Sequence, residues 1–143
     1  MSNIIAVVWD FDKTLIDGYM QEPIFKEYGV NGDAFWKEVN DLPRVYKERQ
    51  DVNVNKDTIY LNHFINYAKD KKFKGLTNEK LKDFGKKITF FPGAIELLKK
   101  TRDSLLNDGQ YEEYGIKVEH YIVSTGLKKI IEGTEAAKYA RKI

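Results

Sequence analysis

The chain has 143 residues, of which 42% are hydrophobic and 32% are charged, so its composition is that of one globular domain. Its 24 basic and 22 acidic residues nearly cancel, which argues against nucleic acid or an anionic membrane as a partner. The absence of cysteine excludes a disulfide framework, a thiolate zinc site and a cysteine nucleophile. No apolar run approaches the ~20 residues that span a bilayer, and no leader sequence is evident, so we expect a cytoplasmic protein.

The first predicted element is a strand. Residues Ile4–Trp9, "IIAVVW", form a continuous apolar run of β-branched and aromatic residues, which predicts a strand covered on both faces. Two aspartates, Asp10 and Asp12, follow this run directly. A segment suited to burial thus ends in two aspartates separated by one residue. We interpret it as a buried strand that places charged side chains at its end.

A mainly helical stretch separates this strand from the next one. Apolar residues at three- and four-residue spacing predict helices within residues 16–89. A further helix is predicted in residues 90–106, with Pro92 and Gly93 at its start. Residues 117–126, "KVEHYIVSTG", predict a second strand, and the rest of the chain predicts a helix with a break at Gly133. The predicted class is therefore α/β.

Both predicted strands end in polar turns followed by helical sequence. In parallel α/β sheets the ligand site lies outside the carboxyl ends of the strands, and right-handed crossovers bring those ends to one edge. We therefore expect the two turns to meet. The residues concerned are Asp10, Asp12 and Thr14 in the first turn and Ser124, Thr125 and Gly126 in the second.

The residue types in these turns suit phosphoryl chemistry. One aspartate can remain an anionic nucleophile while its neighbour is tuned to carry a proton. A carboxylate that attacks a phosphate dianion meets a repulsion of about 4 kcal/mol per charge pair at 4 Å and an effective dielectric near 20, so a cation such as Mg²⁺ is needed. The hydroxyl of Ser124 and nearby N–H groups would hold the phosphate oxygens, and the hydroxyl of Thr14 would orient Asp12.

At this point the sequence resembles the haloacid dehalogenase (HAD) superfamily of hydrolases, in its phosphoserine-phosphatase-like branch. The segment "VVWDFDKTL" matches the first HAD motif, an apolar strand followed by D-x-D-x-T, and "HYIVSTG" matches the second, an apolar strand ending in Ser or Thr. The segment "FPGAIELL" resembles the stretch that leads from the cap to the core. The resemblance implies a Rossmann-type parallel core of residues 1–15 and 90–143, with a helical cap of residues 16–89.

The resemblance also implies roles for individual residues. Asp10 would be the nucleophile that forms an aspartyl-phosphate, and its side chain would bind Mg²⁺. Asp12 would protonate the leaving oxygen, then activate water, and would offer the metal its backbone carbonyl. Ser124 would bind the transferring phosphoryl group. The implied function is Mg²⁺-dependent hydrolysis of a small phosphorylated metabolite.

The sequence departs from the family pattern after the second motif. The third motif is a lysine, for which Lys128 and Lys129 are weak substitutes, and the fourth is a strand followed by acidic residues, for which we find no match. We therefore expect a fragment of a longer enzyme, of low activity by itself, with an exposed sheet edge that favours homodimerisation. The alternative is an inactive HAD-like binding or regulatory module that lacks the fourth motif.

Overall fold

A computed structural model of the chain describes residues 3–106 and 113–143, so residues 1–2 and 107–112 of the predicted core lie outside the described residues. The chain divides into two compact units, one of Met1–Met20 with Asn78–Ile143 and one of Gln21–Thr77. The second of these units thus contains fewer residues than the predicted cap of residues 16–89. None of the helices in the described ranges is both long and apolar enough to cross a membrane.

The first unit contains a three-stranded parallel sheet. Its strands are β1 (Asn3–Trp9), β2 (Ile116–Ile122) and β3 (Ala140–Lys142), in the order β1-β2-β3. β1 and β2 pair in continuous register along their whole length, and both strand pairs are parallel. The predicted α/β class and the predicted parallel sheet are therefore confirmed.

The end of the chain differs from the predicted helix. Helix α6 (Lys128–Glu132) ends at Gly133, and a 3-10 turn at Ala136–Lys138 leads into β3. The three residues of β3 are too few to show the two-residue alternation of a strand. Their extended conformation comes instead from pairing with β2, which the local sequence does not reveal.

The burial predicted for β1 is wrong. Ile4, Ile5 and Val8 are 54%, 50% and 61% exposed. β1 lies at the edge of the sheet, and within the described ranges β2 is the one element that packs extensively against it. An apolar run shows that residues are suited to burial, but it does not supply the surface that covers them.

Helix α5 (Ala94–Leu106) packs against β2 through a buried histidine. The Trp9 indole N–H donates to His120 Nδ1 at 3.0 Å, and His120 Nε2 lies 3.1 Å from the Leu98 carbonyl oxygen. Because an indole only donates and a carbonyl only accepts, the ring is neutral with its proton on Nε2. His120 is 1% exposed, and this burial lowers its pKa from the usual 6.5.

Helix α4 (Asn78–Gly85) crosses α6 at two glycines. A Cβ on Gly85 would lie 2.1 Å from the carbonyl oxygen of Ile130, and a Cβ on Gly133 would lie 2.0 Å from that of Lys82. Since both contacts are with backbone atoms, neither can be relieved by turning a side chain. The two glycines therefore set how closely these helices approach, and α6 is the helix that follows the Ser124 turn.

The second unit is helical with an aromatic core. It contains α1 (Glu22–Tyr28), α2 (Gly32–Gln50) and α3 (Ile59–Lys69). Its buried aromatic side chains are Phe25, Phe35, Tyr60, Phe64, Tyr67 and Phe73. Between α2 and α3, Glu38 Oε2 accepts from the Tyr67 hydroxyl and lies 2.7 Å from His63 Nε2. Burial, and then the bond to Glu38, raise the pKa of Tyr67 to about 12.

Substitution of Gly85 by alanine should destabilise the protein. Alanine normally gains about 1 kcal/mol over glycine inside a helix, but here overpacking against the Ile130 carbonyl should cost more, for a net loss of about 1–3 kcal/mol. Urea unfolding measures the difference. The matched control is Gly32→Ala, where the nearest atom is a Phe25 ring carbon at 3.2 Å that can move slightly. A gain in stability for Gly85→Ala would show that α4 and α6 are not in backbone contact.

Stability should depend on pH through His120. Its pKa is lowered in the folded state, so below about pH 6.5 the unfolded chain binds a proton that the folded chain does not. Folding stability should therefore fall with decreasing pH, by up to about 1.4 kcal/mol per pH unit. Urea unfolding between pH 7.5 and 5 should show a smaller fall for His120→Gln than for the wild type. Equal slopes for the two proteins would contradict the neutral, buried ring.

Candidate functional site

The loop after β1 turns back immediately beyond the strand. The carbonyl oxygen of Phe11, whose ring is fully buried, accepts from the N–H of Leu15 at 2.9 Å. Lys13 has a φ of 59°, in the left-handed region that favours glycine, and its N–H donates to the Gly18 carbonyl at 3.2 Å. The loop is therefore a compact turn anchored by Phe11 rather than a continuation of β1, which frees Asp10 and Asp12 from strict strand alternation.

Asp10 lies in this turn with one oxygen held. The Thr14 hydroxyl donates to Asp10 Oδ2 at 3.1 Å. We expected this hydroxyl to orient Asp12, and the structure assigns it to Asp10 instead, because the turn brings residue 14 back over the end of the strand. Asp10 Oδ1 has no hydrogen-bond partner within residues 3–106 and 113–143. The exposed Asp10 carboxylate thus has one oriented oxygen and one available oxygen.

Asp12 is held by the far end of the same loop. The N–H of Met20 donates to Asp12 Oδ1 at 2.9 Å, and Asp12 is half-buried where Asp10 is exposed. The two carboxylates therefore differ in environment: one is tied to the backbone in a partly enclosed position, and the other faces solvent. Such a difference between two nearby acids is what separate roles in a reaction require.

The turn after β2 is organised around Ser124. Its Oγ accepts from the N–H of Gly126 at 2.9 Å, and the hydroxyl proton has no acceptor among the residues that the structure describes. Thr125 is exposed between them. The Ser124 hydroxyl is thus oriented by the turn and can donate to a phosphoryl oxygen.

The two turns are adjacent. The N–H of Val123 donates to the Trp9 carbonyl at 2.8 Å, so Asp10 and Ser124 directly follow a hydrogen-bonded pair. The N–H of Leu127 approaches Met20 Sδ at 3.1 Å. The strand ends therefore meet at one edge of the sheet, as parallel pairing requires.

Met20 joins the two turns, a role that no feature of the sequence indicates. It is fully buried, its N–H holds Asp12, and a Cβ on Gly126 would lie 2.0 Å from its methyl carbon. Methionine in "DGYMQ" belongs to no motif or periodic pattern that would distinguish it from a core residue. The close approach at Gly126 is visible only once the two turns are placed side by side.

The donors in the first turn fit Mg²⁺ but do not form a complete protein cage. Asp10 and Asp12 supply the hard oxygen ligands that Mg²⁺ prefers, and this ion commonly uses one or two carboxylates together with water and phosphate oxygens. Across the described ranges, no group of three or more His, Asp or Glu side chains is arranged to hold a metal ion. A magnesium ion held by these two acids would therefore need water and phosphate oxygens to complete its coordination.

The lysines after the second turn have other partners. Lys128 Nζ donates to the Ile143 carbonyl at 2.9 Å, and Lys129 Nζ donates to Glu132 at 2.8 Å. The hydrogen bond from Lys129 lowers the pKa of the Glu132 carboxyl. These bonds give no support to either lysine as the substitute for the third-motif cation.

Comparison with known proteins identifies a longer relative. The chain is 38% identical over 141 residues to an uncharacterized protein of Borreliella burgdorferi, a match that covers 99% of this chain and 48% of the relative. The chain thus spans about half the length of that curated relative. No family model matches the sequence.

The contact between the turns can be measured by a double-mutant cycle. Gly126→Ala should destabilise the protein by about 1–2 kcal/mol, because its Cβ would overlap the end of Met20. In a Met20→Ala background the same change should cost little, which gives a coupling of at least about 0.5 kcal/mol by urea unfolding. Met20→Ala combined with the distant Gly32→Ala is the control and should be additive. Additivity of Met20→Ala with Gly126→Ala would mean that the two turns do not touch.

Proposed function

We propose that the chain is the amino-terminal part of a HAD-type phosphatase that hydrolyses a small phosphomonoester through an aspartyl-phosphate. The observation that carries the proposal is the meeting of a D-x-D-x-T turn and a Ser-containing turn at the carboxyl edge of parallel strands. The two turns offer an available carboxylate oxygen on Asp10 and a hydroxyl donor on Ser124. These are the groups that attack a phosphoryl group and hold its oxygens.

In the proposed reaction Asp10 is the nucleophile. With Oδ2 held by the Thr14 hydroxyl, Oδ1 would attack phosphorus, and the bond between phosphorus and the leaving oxygen would break. The Ser124 hydroxyl would donate a hydrogen bond to a phosphoryl oxygen. Asp12, fixed by the Met20 N–H, would protonate the leaving oxygen and then take a proton from the water that hydrolyses the aspartyl-phosphate.

A divalent cation fits this scheme through the donor set. The Asp10 side chain and the Asp12 backbone carbonyl would hold Mg²⁺, as the resemblance implies. When bound, Mg²⁺ would offset the repulsion between the carboxylate and the phosphate, about 4 kcal/mol per charge pair at 4 Å and an effective dielectric near 20. The part of the longer relative outside the match is where we would look for the third- and fourth-motif residues.

One observation favours a second candidate, an inactive HAD-like binding module. Across the part of the chain that the structure describes, no group of three or more His, Asp or Glu side chains could hold a metal ion. Such a module would bind a phosphorylated ligand at the Ser124 turn without turnover. Binding and hydrolysis must therefore be measured separately.

Replacement of Asp10 should abolish formation of an acyl-phosphate analogue. Beryllofluoride with Mg²⁺ mimics an aspartyl-phosphate, and ¹⁹F NMR should detect its complex with the wild-type chain but not with Asp10→Asn. The rate of p-nitrophenyl phosphate hydrolysis should fall by roughly a thousand-fold or more in Asp10→Asn. We expect the same fall in the full-length B. burgdorferi relative when its aligned nucleophile is replaced.

The matched control is Asp17→Asn, an exposed aspartate in the same loop, which should leave both signals unchanged. Equal turnover by wild type and Asp10→Asn would remove Asp10 as the nucleophile. Phosphate binding at the Ser124 turn without turnover, in both the chain and the full-length relative, would favour the binding module.

A further inference from the structure

The last residue of β1, Trp9, is held at both its backbone and its side chain. Its carbonyl oxygen accepts from the N–H of Val123 at 2.8 Å, and its indole N–H donates to His120 Nδ1 at 3.0 Å. The compact turn after β1 begins at Asp10, immediately beyond these two bonds. Trp9 is therefore the residue at which the strand fixes the start of the Asp10 turn.

The side-chain bond requires that His120 is neutral. The Nε2–H of His120 donates to the Leu98 carbonyl oxygen of α5, 3.1 Å away, which leaves a lone pair on Nδ1 for the Trp9 indole. An imidazolium ring carries a proton on both nitrogens and accepts no hydrogen bond. A proton on Nδ1 would therefore place two donors opposite each other, 3.0 Å apart, and the bond to Trp9 would be lost.

The α5 side of His120 disfavours this proton. Arg102 brings a positive charge toward the ring, while its guanidinium also binds Asp103 at 2.9 Å and lies over the ring of Tyr139. Burial lowers the pKa of His120 most, the bond to the Leu98 carbonyl opposes this effect, and the charge of Arg102 adds to it. The ring is therefore neutral near pH 7.

The other neighbours of His120 supply no compensating negative charge. The contact from β1 is the uncharged indole, and the β3 residue in register with His120 is Ala140. On β2 itself, Glu119 accepts from the Tyr121 hydroxyl and lies 3.9 Å from Arg141 Nε. Among the residues that the structure describes, no carboxylate forms a hydrogen bond or ion pair with His120. A proton on Nδ1 therefore has no partner until the ring or the indole moves.

We propose that Trp9 and His120 form a pH-sensitive latch on the Asp10 turn. With His120 neutral, the latch ties the end of β1 to α5. When a proton from solvent binds Nδ1, the indole keeps its own proton, loses its acceptor and moves away. The turn then lacks the side-chain anchor beside Asp10 and opens more often. The latch concerns the order of the turn and not the chemistry of Asp10, so it stands or falls separately from the phosphatase proposal.

The linkage between proton binding and release sets the size of the effect. A released ring titrates with the ordinary histidine pKa of 6.5, whereas the latched ring takes up no proton on Nδ1, so the released population rises as the pH falls. Between pH 7.5 and 5 this rise is at most about 30-fold. The amide of Leu15 reports it, because Leu15 is buried and its N–H donates to the Phe11 carbonyl within the turn. The reference is the amide of Thr134, a buried residue just after α6 whose N–H donates to the Ile131 carbonyl.

Hydrogen exchange by NMR, corrected for the intrinsic pH dependence of exchange, tests the latch. The exchange rate of Leu15 relative to that of Thr134 should rise roughly 10- to 30-fold from pH 7.5 to 5. Over the same range the ¹⁵N shifts of His120 should pass from the neutral form toward the imidazolium form. A general loss of stability would accelerate both amides and leave their ratio unchanged.

Two variants separate the latch from other causes. Trp9→Phe keeps an aromatic ring but removes the donor, so at pH 7.5 the Leu15 ratio should already be at least roughly ten-fold above the wild-type value. Trp36→Phe makes the same change in the helical unit, is the matched control and should behave as the wild type. His120→Gln does not titrate in this range and should remove the pH dependence of the ratio.

Three results would overturn the latch. One is a Leu15 ratio in Trp9→Phe equal to that of the wild type, which decides the question even where His120→Gln fails to fold. Another is a ratio in His120→Gln that still rises as the pH falls, because a different group would then be responsible. The third is a His120 ring that stays neutral until the chain unfolds.

Discussion

The parallel pairing of β1 with β2 is the constraint on which the rest of the first unit depends. It runs without interruption from Asn3 opposite Ile116 to Trp9 opposite Ile122, so both strands end at the same level. The hydrogen bond from Val123 to Trp9 then holds the two turns together. Two segments separated by more than a hundred residues thereby contribute to one candidate site, and neither turn could assemble it alone.

Buried contacts on both sides of this pairing hold the two turns in place. His120 lies between the Trp9 indole and the Leu98 carbonyl, and so joins both strands to α5 with a neutral ring. At the strand ends, Met20 fits against Gly126 and holds Asp12 through its N–H. The histidine and the methionine are buried and structural, whereas the acids and hydroxyls of the turns are exposed or half-buried.

The side of β1 that faces away from β2 is less well covered. Among the residues that the structure describes, no further strand pairs with β1 on that side, and three large apolar side chains of β1 are exposed. Burial of apolar area is worth roughly 25 cal/mol per Å², so a strand of this composition gains stability when it is covered. The uncovered edge thus belongs to the strand that Asp10 directly follows.

The sequence by itself determined the α/β class, the position of β1, and the two turns in which Asp10, Asp12, Thr14 and Ser124 lie, because apolar runs and their polar ends are local patterns. Only the tertiary structure decided that Thr14 bonds to Asp10, that Met20 joins the turns, that residues 140–142 form a strand, and that β1 is exposed. Each of these depends on which distant backbone lies alongside. Hydrophobic periodicity records what a residue is suited to contact, and the pairing of the strands determines what it contacts.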